Sequence, residues 1–321
     1  MDQAKKRKIK KFKLKKLTGF TLLPVLVCMA CFLINPARYT KLVLEGATLW
    51  AVCVLPATLP FLFLTALVTR HSSFSKFAAK LSRPTGKLFR ISGAGGLCAL
   101  LSALSGYPVG AKSVFDLHSR GMLAKEETFR TACLASTSGP MFLVGAVGAG
   151  MFKSVSVGWL LYLSHLLGIF LVCFFMRFTK KKARFYSAPA MLPAQKTSDA
   201  LSESVLSVLT VGGAIAVYYA LAGMVCDFIA LTGLGGGYVT PVVTGLIEMT
   251  SGCSLLAQTP TALNCALACF LVTFGGGCVL TQQTGYLSRA NVNRFAFAGV
   301  KLLQAVCAFL FMLLFCLIFG L

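Results

Sequence analysis

Long apolar runs alternate with short basic stretches along most of the chain. A helix of about 20 apolar residues crosses about 30 Å of hydrocarbon, so runs of this length predict membrane-spanning helices. Runs of this length lie at 17–35, 42–69, 131–152, 157–176, 204–231, 262–287 and 296–320, and polar residues interrupt those at 131–152 and 262–287. Two further runs, 94–115 and 238–257, are apolar but are broken by glycines. The pattern predicts an all-α polytopic membrane protein.

The composition supports the same class. Hydrophobic residues make up 57% of the 321 residues and charged residues 12%, and the mean hydropathy is +0.79. So few charges do not cover a soluble globule of this size, which excludes that class. Run 17–35 follows a basic start, but no small-residue cleavage site leads from it into an exported polar domain. It is therefore predicted to remain as an anchor.

The basic residues behind the net charge of +22 are distributed unevenly along the chain, and this distribution indicates the orientation of the protein in the membrane. Lysines and arginines cluster between the apolar runs, so no nucleic-acid partner is predicted. If 94–115 and 238–257 are re-entrant, 26 of the 31 basic residues fall on the side of the amino terminus. Basic loops stay in the cytoplasm. The sequence therefore predicts a multi-pass protein of the cell membrane with a cytoplasmic amino terminus whose basic residues in 1–16 attract anionic lipid.

The chain also contains an internal repeat. The predicted order is a basic amino terminus with an anchor (1–40), a first repeat (41–178), a basic cytoplasmic linker (179–203) and a second repeat (204–321). "GAGGLCALLSALSGYP" corresponds to "GLGGGYVTPVVTGLIEMTSGC", and "ACLASTSGPMFLVGAVG" to "ACFLVTFGGGCVLTQQTG". On the predicted topology the two repeats have opposite orientations. The fold expected is an inverted-repeat, transporter-like bundle with re-entrant or broken helices.

The breaks point to a site within the membrane. In "SALSGYPVGAK" (102–112), Pro108 lacks a backbone donor, and Gly106 and Gly110 permit a turn. Non-helical backbone at membrane depth survives only inside protein or along a water-filled cavity. One such break also fits a kinked helix packed through small residues. Breaks at matching positions in two halves favour a transport site at the midplane.

Glu248 is the acidic side chain that lies well inside a broken apolar segment. A carboxylate at that depth must be neutral, paired or facing water. The functional interpretation is a proton or cation site, or a partner for a substrate amine or hydroxyl. The structural alternative is an ion pair between the repeats, with Lys112 as the candidate partner.

The other candidates are polar groups and glycines in four breaks: the two glycine-broken runs and the interruptions within 131–152 and 262–287. They are predicted to bind a small polar solute, or to coordinate Na⁺ through oxygens, with Na⁺ or H⁺ as the coupling ion. Each of them alone also fits a contact between helices. No other cofactor and no bound metal are predicted. The substrate-binding set is Ser105, Gly106, Tyr107, Pro108, Lys112, Ser136, Thr137, Ser138, Glu248, Thr250, Ser251, Gly275, Gly276 and Gln282.

An enzyme is not predicted. His71, His118 and His165 form no HExxH motif, and no paired carboxylates accompany them. The thirteen cysteines are scattered through apolar segments and are interpreted as small buried hydrophobes. A homo-oligomer is left open.

The chain resembles the family of sporulation integral membrane protein YlbJ, whose members carry the Gate or nucleoside-recognition domain. The resemblance runs in matching order from about residue 40 to the end, through "LPATLPF" (55–61), "SGYPVGAK" (105–112), "STSGPMFLVGAV" (136–147), "IEMTSG" (247–252) and "FGGGCVLTQ" (274–282). Where family members typically have asparagine, this chain has Ser138. The resemblance implies a membrane protein of spore-forming bacteria with a remote likeness to concentrative nucleoside transporters.

Together these observations predict a secondary transporter or permeation protein for a small polar solute, acting in sporulation. The main alternative is a membrane scaffold of spore assembly that keeps the fold without transport. An intramembrane enzyme is a third alternative.

Overall fold

A computed structural model describes residues 22–71, 73–178, 197–233 and 235–320. This part of the chain is helical and contains no strand. The basic residues 1–16, predicted to bind anionic lipid, lie outside the described residues, as does most of the predicted linker 179–203.

The helices follow the apolar runs in order. They are α1 (Leu22–Ile34), α2 (Pro36–Leu49), a π-helical turn (Trp50–Val54), α3 (Leu55–Arg70), α4 (Phe74–Phe89), α5 (Gly93–Ser105), α6 (Val109–Ser119), α7 (Lys125–Leu134), a π-helix (Met141–Met151), α8 (Val155–Met176), α9 (Thr197–Leu231), α10 (Val239–Ile247), α11 (Met249–Leu256), α12 (Ala262–Phe274), α13 (Gly276–Leu287) and α14 (Arg294–Phe319).

Five stretches of the described chain are long and apolar enough to cross a membrane. They are Pro36–Arg70, Val155–Met176, Asp199–Leu231, Ala262–Leu287 and Arg294–Phe319. A sixth is counted if α4 and α5 are one span, although these two helices meet at 88°. The prediction of an all-α polytopic membrane protein is confirmed.

Helix starts are fixed by local side chains. Ser154 caps α8, where its hydroxyl accepts a hydrogen bond from the backbone N–H of Val157 at 3.3 Å. Asn293 caps α14 and accepts from the N–H groups of Phe295 and Ala296 at 3.0 and 3.1 Å. Such caps satisfy backbone donors that the first helical turn leaves unpaired. The spans therefore begin where short polar residues precede the apolar runs.

The two glycine-broken segments fold back on themselves as hairpins. In the first, Cys98 Sγ of α5 lies 3.8 Å from the carbonyl oxygen of Gly110 in α6. In the second, a Cβ on Gly252 of α11 would lie 2.4 Å from the Cα of Gly245 in α10. The breaks in both hairpins are what the re-entrant interpretation expects.

The second hairpin breaks at a different place from the one that its sequence match suggests. The first break follows Ser105, where Gly106 adopts φ +82°. The matched pair Ser251 and Gly252 lies inside α11, and the chain breaks at Glu248. The physical reason is that Gly252 is needed for close packing of the two arms, while the Glu248 side chain caps α11.

Corresponding helices of the two repeats pack antiparallel. Along α8 and α14, Ser164 contacts Met312, and Cys173 contacts Gln304. A Cβ on Gly168 would lie 2.7 Å from the backbone nitrogen of Ala308, so this pair approaches closely. Inverted repeats require this antiparallel arrangement.

The first helices of the repeats are also antiparallel. Arg38, near the start of α2, contacts Asp227 near the end of α9, while Arg70 at the end of α3 contacts Glu203 near the start of α9. Ion pairs therefore join the two spans at both ends. The exact repeat boundaries stay a prediction.

Candidate functional site

The breaks converge on one cavity in the described part of the molecule. Gly106 of the first hairpin, Gly139 between α7 and the π-helix, Glu248 of the second hairpin and Gln282 of α13 all line it. Residues of α3 and α9 complete the wall. The cavity measures about 40 Å³, which is enough for a few water molecules.

This cavity lies at mid-depth of the spans around it. Val54 lines the cavity and lies within one residue of the centre of the span Pro36–Arg70. Ile215 also lines it and lies at the centre of Asp199–Leu231. Gly275, between α12 and α13, is likewise near the centre of Ala262–Leu287. The broken backbone therefore lies at the depth where unpaired polar groups would cost the most free energy in hydrocarbon.

Glu248 is held in the cavity wall by backbone donors. Its side chain is 1% exposed and accepts hydrogen bonds from the N–H groups of Thr250 and Ser251 at 3.1 and 2.8 Å. The Thr250 hydroxyl is buried beside this carboxylate and makes no hydrogen bond of normal geometry within the described protein. None of the described residues that line the cavity is basic. The site thus offers one carboxylate and an unsatisfied hydroxyl to a small guest.

The expected ion pair between Lys112 and Glu248 is not formed. Lys112 Nζ lies 3.2 Å from Glu203 Oε2, and Arg70 Nη2 lies 2.8 Å from Glu203 Oε1. The reason is the direction of α6, which starts beside the cavity at Val109 and carries Lys112 away from it toward the start of α9. The ion pair alternative for Glu248 is therefore wrong.

The predicted residues divide into two groups. Those that line the cavity are Ser105, Gly106, Tyr107, Ser138, Glu248, Thr250 and Gln282. Those outside its lining are Pro108, Lys112, Ser136, Thr137, Ser251, Gly275 and Gly276. Two residues outside the lining shape its surroundings. The Ser251 N–H donates to Glu248, and Gly275 ends α12 with φ +92°.

Ser136 and Thr137 are used for packing between elements. Ser136 Oγ donates to Gln283 Oε1 of α13 at 2.6 Å. Thr137 Oγ1 lies 3.0 Å from Ser102 Oγ of α5. Ser136 therefore holds the break between α7 and the π-helix to α13, and Thr137 holds it to α5.

Two basic side chains behind the cavity are absent from the predicted set. Lys301 of α14 is 0% exposed, and its ammonium donates to the carbonyl oxygen of Ser136 at 2.9 Å and to the Tyr107 hydroxyl at 3.2 Å. His165 of α8 is also 0% exposed. It accepts from the Ser138 N–H at 2.8 Å through Nε2, and its Nδ1 lies 2.9 Å from Thr273 Oγ1.

A sequence signal for this pair does exist. Gly139 precedes His165 by the same number of residues as Gly275 precedes Lys301, so the two bases occupy matching positions in the repeats. Each also contacts the break of the opposite repeat. A lysine inside an apolar span is costly, so its position in the sequence is enough to mark it as a candidate.

Similarity to one relative identifies the family of this chain. Sporulation integral membrane protein YlbJ of Bacillus subtilis (strain 168) is 30% identical to this chain, over 84% of this chain and 75% of the relative. This chain belongs to the YlbJ family. It matches no family model and no solved structure.

Membership of the YlbJ family confirms the resemblance seen in the five sequence stretches. It also agrees with the multi-pass membrane location that the spans indicate. The Gate domain, nucleoside recognition and transport stay predictions for this YlbJ-family protein.

Proposed function

We propose that this YlbJ-family protein moves a small polar solute across a membrane of the sporulating cell. The observation that carries the proposal is the cavity at mid-depth, where breaks from both repeats meet. Broken helices at matching positions of two repeats are the arrangement by which secondary transporters expose backbone dipoles to a solute. The role in sporulation rests on the name of the relative.

The size of the cavity indicates which state of a transport cycle the structure represents. A volume of about 40 Å³ admits water or a small ion, and it is far below that of a nucleoside. We interpret this conformation as one in which the two hairpins are closed against each other around the cavity. Binding a nucleoside or a solute of similar size requires the two hairpins to separate.

Glu248 is proposed to carry the coupling ion. A buried carboxylate with no basic residue in the cavity lining is stable when it takes up a proton or when a cation lies against it. A proton needs no further ligands. Na⁺ needs several oxygens, and the lining also carries side-chain oxygens of Thr250, Ser138, Ser105 and Gln282.

A scaffold of spore assembly is the second candidate. The observation that favours it is the extent of bonding between the repeats behind the cavity, where Lys301 and His165 tie the broken segments to the opposite half. A scaffold needs such rigidity, whereas a transporter must release part of it.

The deciding experiment is ligand-dependent thermal stability of the purified, detergent-solubilised protein. The panel consists of nucleosides, bases, small carboxylates, Na⁺ and a pH series, and any hit is followed by flux into proteoliposomes. A ligand that binds the folded state raises the melting temperature. We expect one class to do so in the wild type and in Glu45→Gln, whose side chain is exposed, but not in Glu248→Gln.

The scaffold interpretation predicts a different result. No compound, ion or pH step changes the melting temperature differently in Glu248→Gln and Glu45→Gln, and proteoliposomes of the wild type show no flux. That outcome would overturn the transport proposal.

A further inference from the structure

A second pocket lies between α3, α6 and α9, at the end of α9 that follows the basic linker. Its centre is an ion-pair cluster in which Glu203 of α9 contacts Arg70 of α3 at 2.8 Å and Lys112 of α6 at 3.2 Å. One carboxylate therefore joins three helices. The Glu203 side chain is 42% exposed, so solvent reaches the pocket.

The second pocket and the mid-depth cavity lie along the same faces of α3 and α9. On α3, Thr58 lines the cavity and Thr65 and Thr69 line the pocket, at spacings of seven and four residues. On α9, Val211 lines the cavity and Ser204 the pocket, seven residues or about 10 Å apart along the helix axis. Residues spaced by three, four or seven share a helix face. The two spaces are therefore consecutive along one line.

An apolar cluster lies between them, and two of its three members also line the second pocket. Leu62 of α3, Val109 of α6 and Val208 of α9 are buried and pack together as one cluster. Each lies between a residue of its helix or hairpin that lines the cavity and one that lines the pocket. Beside the cluster, Thr65 Oγ1 of the pocket and Ser105 Oγ of the cavity lie 2.6 Å apart.

We infer that the second pocket is one mouth of the solute path, and that Leu62, Val109 and Val208 form the closed gate between this mouth and the cavity. An apolar constriction excludes water and polar solutes until its walls separate. The Glu203 ion pairs hold the three gate helices together in the closed state. The mouth opens on the side of the basic loops, which the charge rule assigns to the cytoplasm. This inference rests on the proposed transport function.

The test measures thiol access across the gate. Thr58→Cys and Thr69→Cys place a thiol on the same face of α3, on the cavity side and on the mouth side of the gate respectively. Inside-out and right-side-out vesicles are treated with a charged, membrane-impermeant thiosulfonate, and modification of the introduced residue is followed by peptide mass spectrometry. The thirteen native cysteines then do not interfere, because each peptide is quantified separately.

In inside-out vesicles we expect fast modification of Thr69→Cys and slow modification of Thr58→Cys. Adding Val208→Ala to Thr58→Cys should raise its rate several-fold from that side. The matched control is Leu206→Ala, which removes the same kind of side chain from the exposed face of α9 and should leave the rate unchanged. Glu203→Gln is the second variant, and it should also raise the rate because it releases the three helices.

An unchanged Thr58→Cys rate in folded Val208→Ala and Glu203→Gln would overturn the gate, as would an increase restricted to right-side-out vesicles. An unchanged Thr69→Cys rate shows that the variants retain their fold. The two proposals fail separately. If the Thr58→Cys rates contradict the gate while a ligand still binds in a Glu248-dependent way, only the gate proposal fails. If the rates support the gate but no ligand changes the melting temperature, only the transport proposal fails.

Discussion

Lys301 Nζ lies 2.9 Å from the carbonyl oxygen of Ser136, so α14 of the second repeat donates a hydrogen bond into a break of the first. His165 of the first repeat contacts the Thr273 hydroxyl of the second and accepts from the Ser138 N–H of its own repeat. A backbone group left unpaired at this depth would cost several kcal/mol. Lys301 and His165 therefore both pair with the break before the π-helix, and the cavity exists only when both halves are assembled.

Tyr107→Phe tests the bonds behind the cavity. The Tyr107 hydroxyl accepts from Lys301 and lies 3.2 Å from the carbonyl oxygen of Val272, so its removal leaves both groups short of a partner. We expect a loss of about 1 kcal/mol in the free energy of unfolding. Unfolding in detergent micelles measures it. Tyr238→Phe on an exposed side chain is the control, and an equal loss in both variants would contradict the assignment.

Gly252→Ala tests the second hairpin. The added methyl group would lie 2.4 Å from the Cα of Gly245, so the arms α10 and α11 must move apart. We expect a loss on the order of 2 kcal/mol, the scale of overpacking in a close-packed interior. Gly299→Ala in α14 meets open space and should be neutral or stabilising by up to about 1 kcal/mol. Melting temperatures of the two variants in the same detergent decide between close packing and a general effect of alanine.

Glu203→Gln and Asp227→Asn compare the ion pairs at the two ends of α9. Asp227 binds an Arg38 side chain that is 51% exposed, so Asp227→Asn should cost less than about 1 kcal/mol and the difference should shrink with added salt. Arg70 is 9% exposed, Glu203 is 42% exposed and also pairs with Lys112, so Glu203→Gln should cost more than Asp227→Asn, about 1 kcal/mol. Unfolding at low and high salt measures both. Equal, salt-sensitive losses would show that the Glu203 cluster is an ordinary surface pair.

Glu127 outside the spans predicts a pH effect. Burial raises the pKa of its carboxyl above the ordinary value of 4.5, while the N–H groups of Ser92 and Ala124 oppose this by donating to it. Since the folded pKa lies above the unfolded one, this contribution to stability is present below about pH 4.5 and is lost as the pH rises through the raised pKa. The melting temperature of the wild type should therefore fall, relative to Glu127→Gln, as the pH rises above about 4.5.

The control for that prediction is the neighbouring exposed residue Glu126. The Glu126 charge adds a smaller part to the raised pKa of Glu127, after burial, so Glu126→Gln should weaken the wild-type pH dependence only in part, whereas Glu127→Gln should abolish it. If Glu126→Gln and Glu127→Gln show the same pH profile, burial of Glu127 is not the cause.

The spans and the positions of most breaks were predictable because they depend on local sequence. Hydrophobic run length sets where a helix can cross a membrane, and glycine and proline mark where its backbone turns. The break after Ser105 follows this rule, with Gly106 in a conformation that favours glycine. The break at Glu248 was displaced because α11 begins there with a carboxylate cap, and not with a glycine.

The partners of buried charges were not predictable in the same way. Lys112 and Glu248 both flank breaks, yet Lys112 points toward Glu203, because the rotation and direction of α6 decide which neighbour it meets. Lys301 lies far along the chain from Ser136 and contacts it only because α14 packs behind the first repeat.

The sequence by itself determined the membrane class, the family, the spans and the broken segments, since hydropathy and backbone preferences act over a few residues. Tertiary structure decided which breaks share a cavity, where Lys112 and Lys301 find their partners, and that Leu62, Val109 and Val208 close one end of the path. These depend on packing between helices far apart in the chain, and no local pattern encodes the angle at which two helices meet.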